Sequence, residues 1–267
     1  MKVYLNDSLL AAGEARIDPV DRGLTLGDGL YETIAVRRGR PARVAAHLAR
    51  LRRGAAVVGL EVPKDDEALE AALSGVARAN GIGEGALRLT LTRGPAPPGL
   101  KPPATATPTL LVVGRSEKLA PAAVVIAIIA TVTRRNEHSP ISRIKTTNCL
   151  DAVLALREAA AAGADDALLL NGAGNLAEAA AANLFAVIAG SLLTPPVADG
   201  ALAGVMRADV IAELGAEERS IAPKDLARAS EAFLTSSLRV RPLVAVDGRA
   251  VGDGRPGPVT ARARRIV

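Results

Sequence analysis

Apolar residues recur at helical spacing in the N-terminal half of the chain. In the run VAAHLARLRRGAAVVG they fall on one face of a predicted helix, at Val44, Leu48, Leu51 and Ala55. The run DDEALEAALSGVARAN predicts a second helix, with Asp65 or Asp66 as its N-terminal cap and Gly81 as its stop. Two later runs, LDAVLALREAAAAG and LAGVMRADVIAELG, predict further helices.

Short apolar runs bounded by turn residues predict the strands. VYLND and SLLAAGEARID predict a first hairpin, and ALRLTLT, PTLLVVG and AAVVIAIIATV predict the next strands. DDALLLN, NLFAVIAG, SLLTP, EAFLTSS and LVAVDGRAVG complete the set, the last around an Asp-Gly turn. Because helices and strands alternate without a strict βαβ rhythm, we expect an α/β fold with mixed sheets of the α+β kind, in two domains.

Polar and proline-containing sequence marks the predicted domain boundary. The run GRSEKLAPA separates two strongly apolar strands, which predicts a smaller N-terminal domain over 1–114, a linker over 115–122 and a larger domain over 123–267. The run RGPAPPGLKPPATA predicts an ordered surface loop near a site or a mobile flap. The run DRGLTLGDGLYETIAVRRGRP, with glycines around short apolar runs, predicts a loop that leads into a strand pair.

Composition narrows the function classes. The apolar fraction of 49% comes mainly from Ala, Val and Leu, and no run has the length of a membrane-spanning helix or a signal peptide, so we expect a cytoplasmic protein. Cys149 is the only cysteine and the chain has two histidines, which argues against disulfides and against a metal site. The net charge of +5 is spread among acids, and aromatic residues are nearly absent, which argues against nucleic acid as a partner.

Two residues point to a specific cofactor. Lysine is scarce, with six in the chain, and Lys145 lies in the run SRIKTTNCL. An amine that must lose its proton and form an imine has to be lysine, because guanidinium stays protonated. Glu178, flanked by alanines in NGAGNLAEAAAANLF, is suited to keep a pyridine nitrogen protonated. The pair therefore suggests pyridoxal phosphate (PLP).

Six runs, in order along nearly the whole chain, resemble the class IV aminotransferases, the fold-type-IV PLP enzymes. They are DRGLTLGDGLYET, HLARL, RIKTTN, NLAEAAAANLF, TPPVADGALAGVMR and FLTSS. The resemblance implies a two-domain fold like that of D-amino acid aminotransferase. It also implies a homodimer with the cofactor between the two domains.

The resemblance assigns roles to the residues that hold the cofactor. Lys145 is similar to the Schiff-base lysine that also moves the proton, and Glu178 to the partner of the pyridine nitrogen. Arg50 resembles the arginine that binds the phosphate. The backbone N–H groups of Val205 and Met206 resemble the helix start that cradles the same phosphate, although many relatives carry threonine where this chain has Met206.

Other positions are assigned to phosphate or substrate contacts. Ser236 and Ser237 could supply hydroxyl groups to the phosphate. Tyr31 resembles the tyrosine that lines the substrate pocket, and Arg88 is at a place where some relatives bind the substrate carboxylate. His47 is interpreted as structural.

Three residues have supporting roles in this interpretation. We expect Thr146 and Asn148 to orient the loop of Lys145 or to cap the next helix. We expect Asn183 to fix a turn through its side chain.

Members of the family catalyse several different reactions. The sequence runs that distinguish these members favour different reactions in this chain. The arginine and histidine that trap the carboxylate in D-amino acid aminotransferases are replaced by Pro98 and Gly99. Ala35 lies where branched-chain enzymes show an arginine, which weakens that interpretation. The runs EAAAANLF and GVMR favour 4-amino-4-deoxychorismate lyase, whereas the ending PLVAVDGRAVGDGRPGP favours the D-amino acid branch.

The leading hypothesis is an aminotransferase that moves an amino group between a D-amino acid and a 2-oxo acid in a two-step ping-pong cycle through Lys145. The alternative is 4-amino-4-deoxychorismate lyase, which releases pyruvate and forms 4-aminobenzoate without a second substrate. A branched-chain L-amino acid aminotransferase is a third possibility, and a relative without catalysis that binds the cofactor or a partner is a fourth.

Overall fold

A computed structural model describes residues 1–119 and 123–266. Contacts between Cα atoms divide the chain into two compact units. The first unit contains Met1–Leu119 together with Ile144–Asn148, and the second contains the other described residues. The predicted linker over 115–122 lies at this division, and its residues 120–122 are outside the described residues. The sequence placed Lys145 in the C-terminal domain, whereas its contacts group it with the first unit.

The first unit combines strands with three helices. Its strands are β1 (Lys2–Leu5), β2 (Ser8–Ala11), β3 (Gly29–Arg37), β4 (Arg40–Pro41), β5 (Gly85–Thr92) and β6 (Thr109–Ser116). Its helices are α1 (Arg22–Leu26), α2 (Val44–Val58) and α3 (Asp66–Ala79). The predicted positions of α2 and α3 are confirmed, and Asp65 caps α3 by accepting from the N–H of Ala68 at 2.8 Å. Within DRGLTLGDG, where a loop was expected, Asp21 accepts from the N–H of Gly23 and starts the short helix α1.

These strands form an antiparallel six-stranded sheet in the order β2-β1-β6-β5-β3-β4. In its register Tyr31 faces Thr90 and Thr33 faces Arg88 across β3 and β5. Side chains alternate between the two faces of a strand, so Tyr31 and Arg88 share one face. The opposite face carries Ile34, Leu87 and Leu89, which are buried in the core with apolar residues of α2 and α3.

The second unit has a larger mixed sheet. Its strands are β7 (Val125–Ile129), β8 (Asp166–Leu170), β9 (Leu176–Ala179), β10 (Asn183–Ile188), β11 (Ser191–Thr194), β12 (Glu217–Glu218), β13 (Glu231–Thr235), β14 (Val240–Val246) and β15 (Arg249–Ala250). Its helices are α4 (Leu150–Ala161), α5 (Val205–Leu214), α6 (Pro223–Leu226) and α7 (Pro258–Ala263).

The strands of this sheet follow the order β12-β11-β10-β13-β14-β7-β8-β9, and β15 pairs with β14. The pairs β11–β12, β14–β7 and β7–β8 are parallel and the others antiparallel, as the expected mixed sheet requires. The Asp-Gly turn is confirmed: Asp247 and Gly248 both have positive φ, which a two-residue hairpin of this kind needs. No helix among the described residues is long and apolar enough to span a membrane.

Candidate functional site

The backbone around Lys145 is bound to the start of β3. The N–H of Tyr31 donates to the carbonyl oxygen of Lys145 at 2.9 Å, and the N–H of Thr147 donates to that of Gly29 at 2.9 Å. Leu30 and Thr146 form the bridge between these two bonds. The segment that carries Lys145 is therefore fixed like a short extra strand, which leaves its side chain half-buried.

The polar side chains that follow Lys145 reinforce this attachment. Thr147 Oγ1 and Asn148 Nδ2 donate to the carbonyl oxygen of Gly27 at 2.7 and 2.9 Å. Thr146 Oγ1 donates to the carbonyl oxygen of Gly29 at 3.2 Å. Thr146 and Asn148 therefore orient the loop of Lys145, which is the first of the two roles expected for them. Asn148 does not cap α4, whose N-cap residue Cys149 makes no side-chain capping bond.

Tyr31 brings two cations to one aromatic ring. The Nζ atom of Lys145 lies 4.4 Å from the centroid of the Tyr31 ring, and the guanidinium carbon of Arg88 lies 3.8 Å from it. Both distances are within the range of a cation–π interaction. Arg88 is exposed, so its guanidinium is accessible to an anion. The structure thus brings together three of the residues identified from sequence.

Arg50 belongs to a buried ionic cluster centred on Glu32. Its Nε and Nη2 atoms donate to the two carboxylate oxygens of Glu32 at 2.8 and 2.5 Å, and His47 Nδ1 lies 2.6 Å from Oε2. Glu32 and His47 are almost completely buried. Burial raises the pKa of Glu32, but the hydrogen bonds and charges of Arg50 and His47 outweigh it and hold the pKa below its ordinary value.

Glu32 was missed at the sequence level, although a signal was present. His47 and Arg50 are three residues apart on α2 and therefore share a helix face, and a carboxylate is the natural partner for two such groups. The bond to Glu32 fixes the guanidinium of Arg50 in one orientation. It also explains why His47, which was interpreted as structural, is buried.

Glu178 lies on β9 and is 9% exposed. Its Oε2 atom accepts from the N–H of Leu202 at 3.0 Å and from Asn183 Nδ2 at 3.4 Å. Its Oε1 atom lies 3.2 Å from Nε of Arg135. These donors suit an ionised carboxylate, and Arg135 was not identified from the sequence.

The loop that leads into α5 is bound to Glu178 and Asn183. Asn183 Nδ2 donates to the carbonyl oxygen of Leu202 at 2.8 Å, so its side chain fixes the loop before α5 rather than a turn of its own. Gly204 is the N-cap of α5 and provides no side-chain cap. The first N–H groups of a helix, here those of Val205 and Met206, have no carbonyl partner within the helix and can bind an anion.

A glycine is required at this cap. A Cβ atom at Gly204 would lie 2.0 Å from Oδ1 of Asn183, far inside the contact distance of the two atoms. The backbone and Asn183 are therefore packed tightly beside the helix start.

Ser236 takes part in a local turn. Its Oγ atom accepts from the N–H groups of Leu238 and Arg239 at 3.4 and 3.3 Å, and its own N–H donates to the carbonyl oxygen of Arg239 at 2.9 Å. Ser236 and Ser237 are both half-buried. A contact of their hydroxyl groups with phosphate stays a prediction.

A second ionic cluster in the first unit anchors the proline-rich loop after β5. Asp28 accepts from Nε of Arg22 and from Nε of Arg93, each at 2.8 Å. Arg22 also donates to the carbonyl oxygens of Gly99 and Leu100 at 2.8 and 3.0 Å. Burial raises the pKa of Asp28, and the two arginines lower it by more, so the net shift is downward. The loop is therefore held by a guanidinium, in agreement with an ordered surface loop.

These groups have the chemistry that PLP requires. Lys145 is a half-buried amine on a fixed backbone segment, Glu178 is a carboxylate held by several donors, and the start of α5 offers N–H groups to an anion. Within the first unit Lys145, Tyr31 and Arg88 lie together. Within the second unit Glu178 is bound to the loop that leads into α5.

Comparison with known proteins agrees with this chemistry. The family model for amino-transferase class IV matches residues 29–246. The D-alanine aminotransferase of Bacillus licheniformis is 30% identical over 279 residues, which cover 100% of this chain and 96% of that protein.

Two solved structures share the fold along nearly the whole chain. The branched-chain amino acid aminotransferase of Escherichia coli superposes with a TM-score of 0.92 at 26% identity, covering 99% of this chain and 92% of that one. A putative 4-amino-4-deoxychorismate lyase of Legionella pneumophila has a TM-score of 0.85 at 28% identity, with 94% of each chain covered. The chain therefore belongs to the class IV aminotransferases and is a PLP-dependent transaminase with the fold of that family.

Proposed function

We propose that this transaminase exchanges an amino group between a D-amino acid and a 2-oxo acid by a ping-pong cycle. The position of Arg88 is the observation that supports an amino acid as the substrate. Its exposed guanidinium lies against the Tyr31 ring, which also contacts the Lys145 amine. The D-amino acid assignment is supported by the run PLVAVDGRAVGDGRPGP and by the full-length similarity to a D-alanine aminotransferase.

In this proposal the chain's own residues hold the cofactor at defined points. Lys145 carries it covalently through Nζ, and Glu178 pairs with its ring nitrogen. Arg50 and the N–H groups of Val205 and Met206 bind its phosphate, with Ser236 and Ser237 as further hydroxyl donors. When bound, PLP supplies an electron sink for the negative charge that forms on the substrate carbon.

Lys145 also has a second task in the cycle. With PLP bound, the Nζ atom of Lys145 would be the group that accepts the proton from the α-carbon of the amino acid, as a general base. A base for this step has to be positioned accurately, because misplacement by about 1 Å lowers rates strongly. The backbone bonds of the lysine segment to Tyr31 and Gly29, at 2.9 Å each, support that positioning.

Arg88 and Tyr31 form the substrate end of the proposed site. A guanidinium binds a carboxylate with two parallel hydrogen bonds, which favours substrates that carry one. Tyr31 supports this guanidinium from the ring face and lies beside the amine. The arrangement offers a carboxylate contact that does not need the arginine and histidine absent from the loop after β5.

The second candidate function is that of 4-amino-4-deoxychorismate lyase. The structural similarity to the putative lyase of Legionella pneumophila supports it. Aminodeoxychorismate also carries carboxylates that Arg88 could bind. The two reactions differ in one requirement, because a transaminase needs an acceptor 2-oxo acid to restore the cofactor and the lyase does not.

One experiment separates these reactions. The PLP-loaded protein is mixed in turn with D-alanine, D-glutamate, L-leucine, L-glutamate and aminodeoxychorismate, and the visible absorption of the cofactor is followed. Bleaching by a D-amino acid, recovery on addition of a 2-oxo acid and no reaction with the L-amino acids are expected. Bleaching only by L-leucine would instead indicate a branched-chain enzyme, and pyruvate release from aminodeoxychorismate without acceptor would indicate the lyase.

We also propose that the protein is a homodimer, in keeping with its family. Helix α4 exposes three large apolar side chains on one face, at Leu150, Val153 and Leu154. An apolar face of this kind is unfavourable in water and is suited to a subunit contact. Light scattering should give twice the chain mass for the wild type and the chain mass for Val153→Asp. A monomeric wild type would contradict the proposal.

A further inference from the structure

Arg135 joins three segments of the second unit. Its Nε atom lies 3.2 Å from Oε1 of Glu178 and donates to the carbonyl oxygen of Gly200 at 3.1 Å. Its Nη2 atom donates to the carbonyl oxygen of Ser142 at 2.6 Å. One guanidinium thus contacts the strand that carries Glu178, the loop before α5 and the segment that precedes Lys145 along the chain.

The ion pair of Arg135 with Glu178 is shielded from solvent. The two side chains are 21% and 11% exposed, so the pair is screened less than a surface salt bridge. The other carboxylate oxygen of Glu178 accepts from the N–H of Leu202. Both oxygens are therefore occupied by donors, which restricts the carboxylate to one orientation.

The hydrogen bond from Arg135 to Ser142 joins the two ends of the segment 135–142. Besides accepting from Arg135, Ser142 donates through Oγ to the carbonyl oxygen of Asn136 at 2.7 Å. Ser142 is buried and precedes Lys145 by three residues. Arg135 therefore fixes the backbone that leads to the lysine as well as the carboxylate on β9.

We propose that Arg135 is a positioning residue of the cofactor site, which orients Glu178 and keeps it ionised against the ring nitrogen of PLP. The inference rests on the proposed role of Glu178. A neighbouring cation favours the ionised form of a carboxylate and makes it a weaker base. With PLP bound, a carboxylate held in this way would favour a protonated ring nitrogen, the form that serves as the electron sink.

Arginine is suited to this task in a way that lysine is not. The planar guanidinium donates in several fixed directions, whereas the lysine ammonium is a single point charge. Arg135→Lys therefore keeps the charge beside Glu178 but loses the simultaneous contacts with Gly200 and Ser142. Arg135→Met loses both the charge and the contacts.

The test compares Arg135→Met and Arg135→Lys with Arg134→Met. Arg134 is the adjacent residue and donates to the carbonyl oxygen of Asn171 at 3.1 Å, so its replacement removes the same charge from the same segment. For each variant, the dissociation constant of PLP is measured by titration of the apoprotein. The visible absorption of the loaded protein is then titrated with pH.

We expect Arg135→Met to weaken PLP binding about tenfold or more, the loss expected for one charge-assisted hydrogen bond, and to shift the midpoint of the absorption titration. Arg135→Lys should restore the midpoint while binding PLP more weakly than the wild type. Arg134→Met should match the wild type in both measurements.

The outcomes separate this inference from the proposed function. A wild-type protein that does not bind PLP would overturn the proposed role of Glu178 and the role of Arg135 with it. If the wild type binds PLP and the Arg135 variants match Arg134→Met in affinity and titration midpoint, the role of Arg135 alone is overturned. A change in affinity with no change in the midpoint for Arg135→Met would also overturn it, since a merely structural residue would give that result.

Discussion

Lys145 and Tyr31 contact each other through both backbone and side chain. The N–H of Tyr31 donates to the carbonyl oxygen of Lys145 at 2.9 Å, and Nζ of Lys145 lies 4.4 Å from the centre of the Tyr31 ring. The amine is therefore positioned by the strand that also presents the ring. Tyr31 therefore orients Lys145, a role additional to the substrate-binding one proposed for it.

Replacement of Tyr31 tests this relationship. Tyr31→Phe keeps a ring beside Lys145 and Arg88, whereas Tyr31→Ala removes it. A cation–π contact contributes about 0.5 to 2 kcal/mol, so Tyr31→Ala should lower the rate of the first half-reaction several-fold more than Tyr31→Phe. Stopped-flow absorption measures both rates. Equal rates for the two variants would show that the ring does not position the amine.

Arg88 should act on substrate binding. Removal of one charge-assisted contact costs about 1.5 to 3 kcal/mol, so Arg88→Met should raise KM for the amino acid about tenfold or more. The value of kcat should change less. Arg115→Met, on the neighbouring strand β6 with an exposed side chain, is the control and should leave KM unchanged. An unchanged KM in Arg88→Met would remove Arg88 from the substrate site.

Glu32 should contribute to stability through its buried ion pairs. Glu32→Gln removes the buried carboxylate charge that pairs with Arg50, and breaking such a pair costs about 3 to 5 kcal/mol. Denaturant unfolding measures the loss. Glu70→Gln, an exposed residue on α3, should change the unfolding free energy little. A loss no larger than that of the control would contradict the structural role of the cluster.

The wild type and Glu32→Gln should also differ in how their unfolding free energy depends on pH. The pKa of Glu32 is lower in the folded than in the unfolded chain, so its stabilising effect is complete above the unfolded pKa and is lost as pH falls through the folded pKa. The difference in unfolding free energy between wild type and Glu32→Gln should be constant near neutral pH. It should shrink below about pH 4. A difference that grows on acidification would contradict the direction of the shift.

Gly204 should be essential for the helix start. In Gly204→Ala the new Cβ would lie 2.0 Å from Oδ1 of Asn183, so the cap or Asn183 has to move. PLP should then bind more weakly, as measured by titration of the apoprotein. Gly75→Ala is the matched control, because nothing lies within 4 Å of its Cβ and the residue is inside α3. That control should bind PLP normally and gain up to about 1 kcal/mol of stability.

Local sequence signals predicted much of the fold. The periodicity of α2, the aspartate cap of α3 and the Asp-Gly turn depend on interactions within a few residues, so they can be recognised without the rest of the chain. The short helix α1 was not predicted. One turn of helix has almost no apolar periodicity, and its formation depends on the cap from Asp21.

The partners of the site residues could not be predicted in the same way. Glu32 with Arg50, and Arg135 with Glu178, are far apart along the chain, and their contacts are created by sheet and loop packing. The place of Arg88 on the face of Tyr31 depended on strand register, which one strand alone does not determine. The grouping of Lys145 with the first unit has the same cause, because it follows from backbone bonds to β3.

Covalent trapping tests the central claim most directly. PLP is added to the wild-type protein, the bond to the amine is reduced with borohydride, and the modified peptide is identified by mass spectrometry. We predict one reduced pyridoxyl phosphate group on the peptide that contains Lys145, and none of the other five lysines modified at the same level. Equal modification of another lysine, or undiminished modification and turnover in Lys145→Ala, would contradict the assignment of Lys145 as the residue that carries the cofactor.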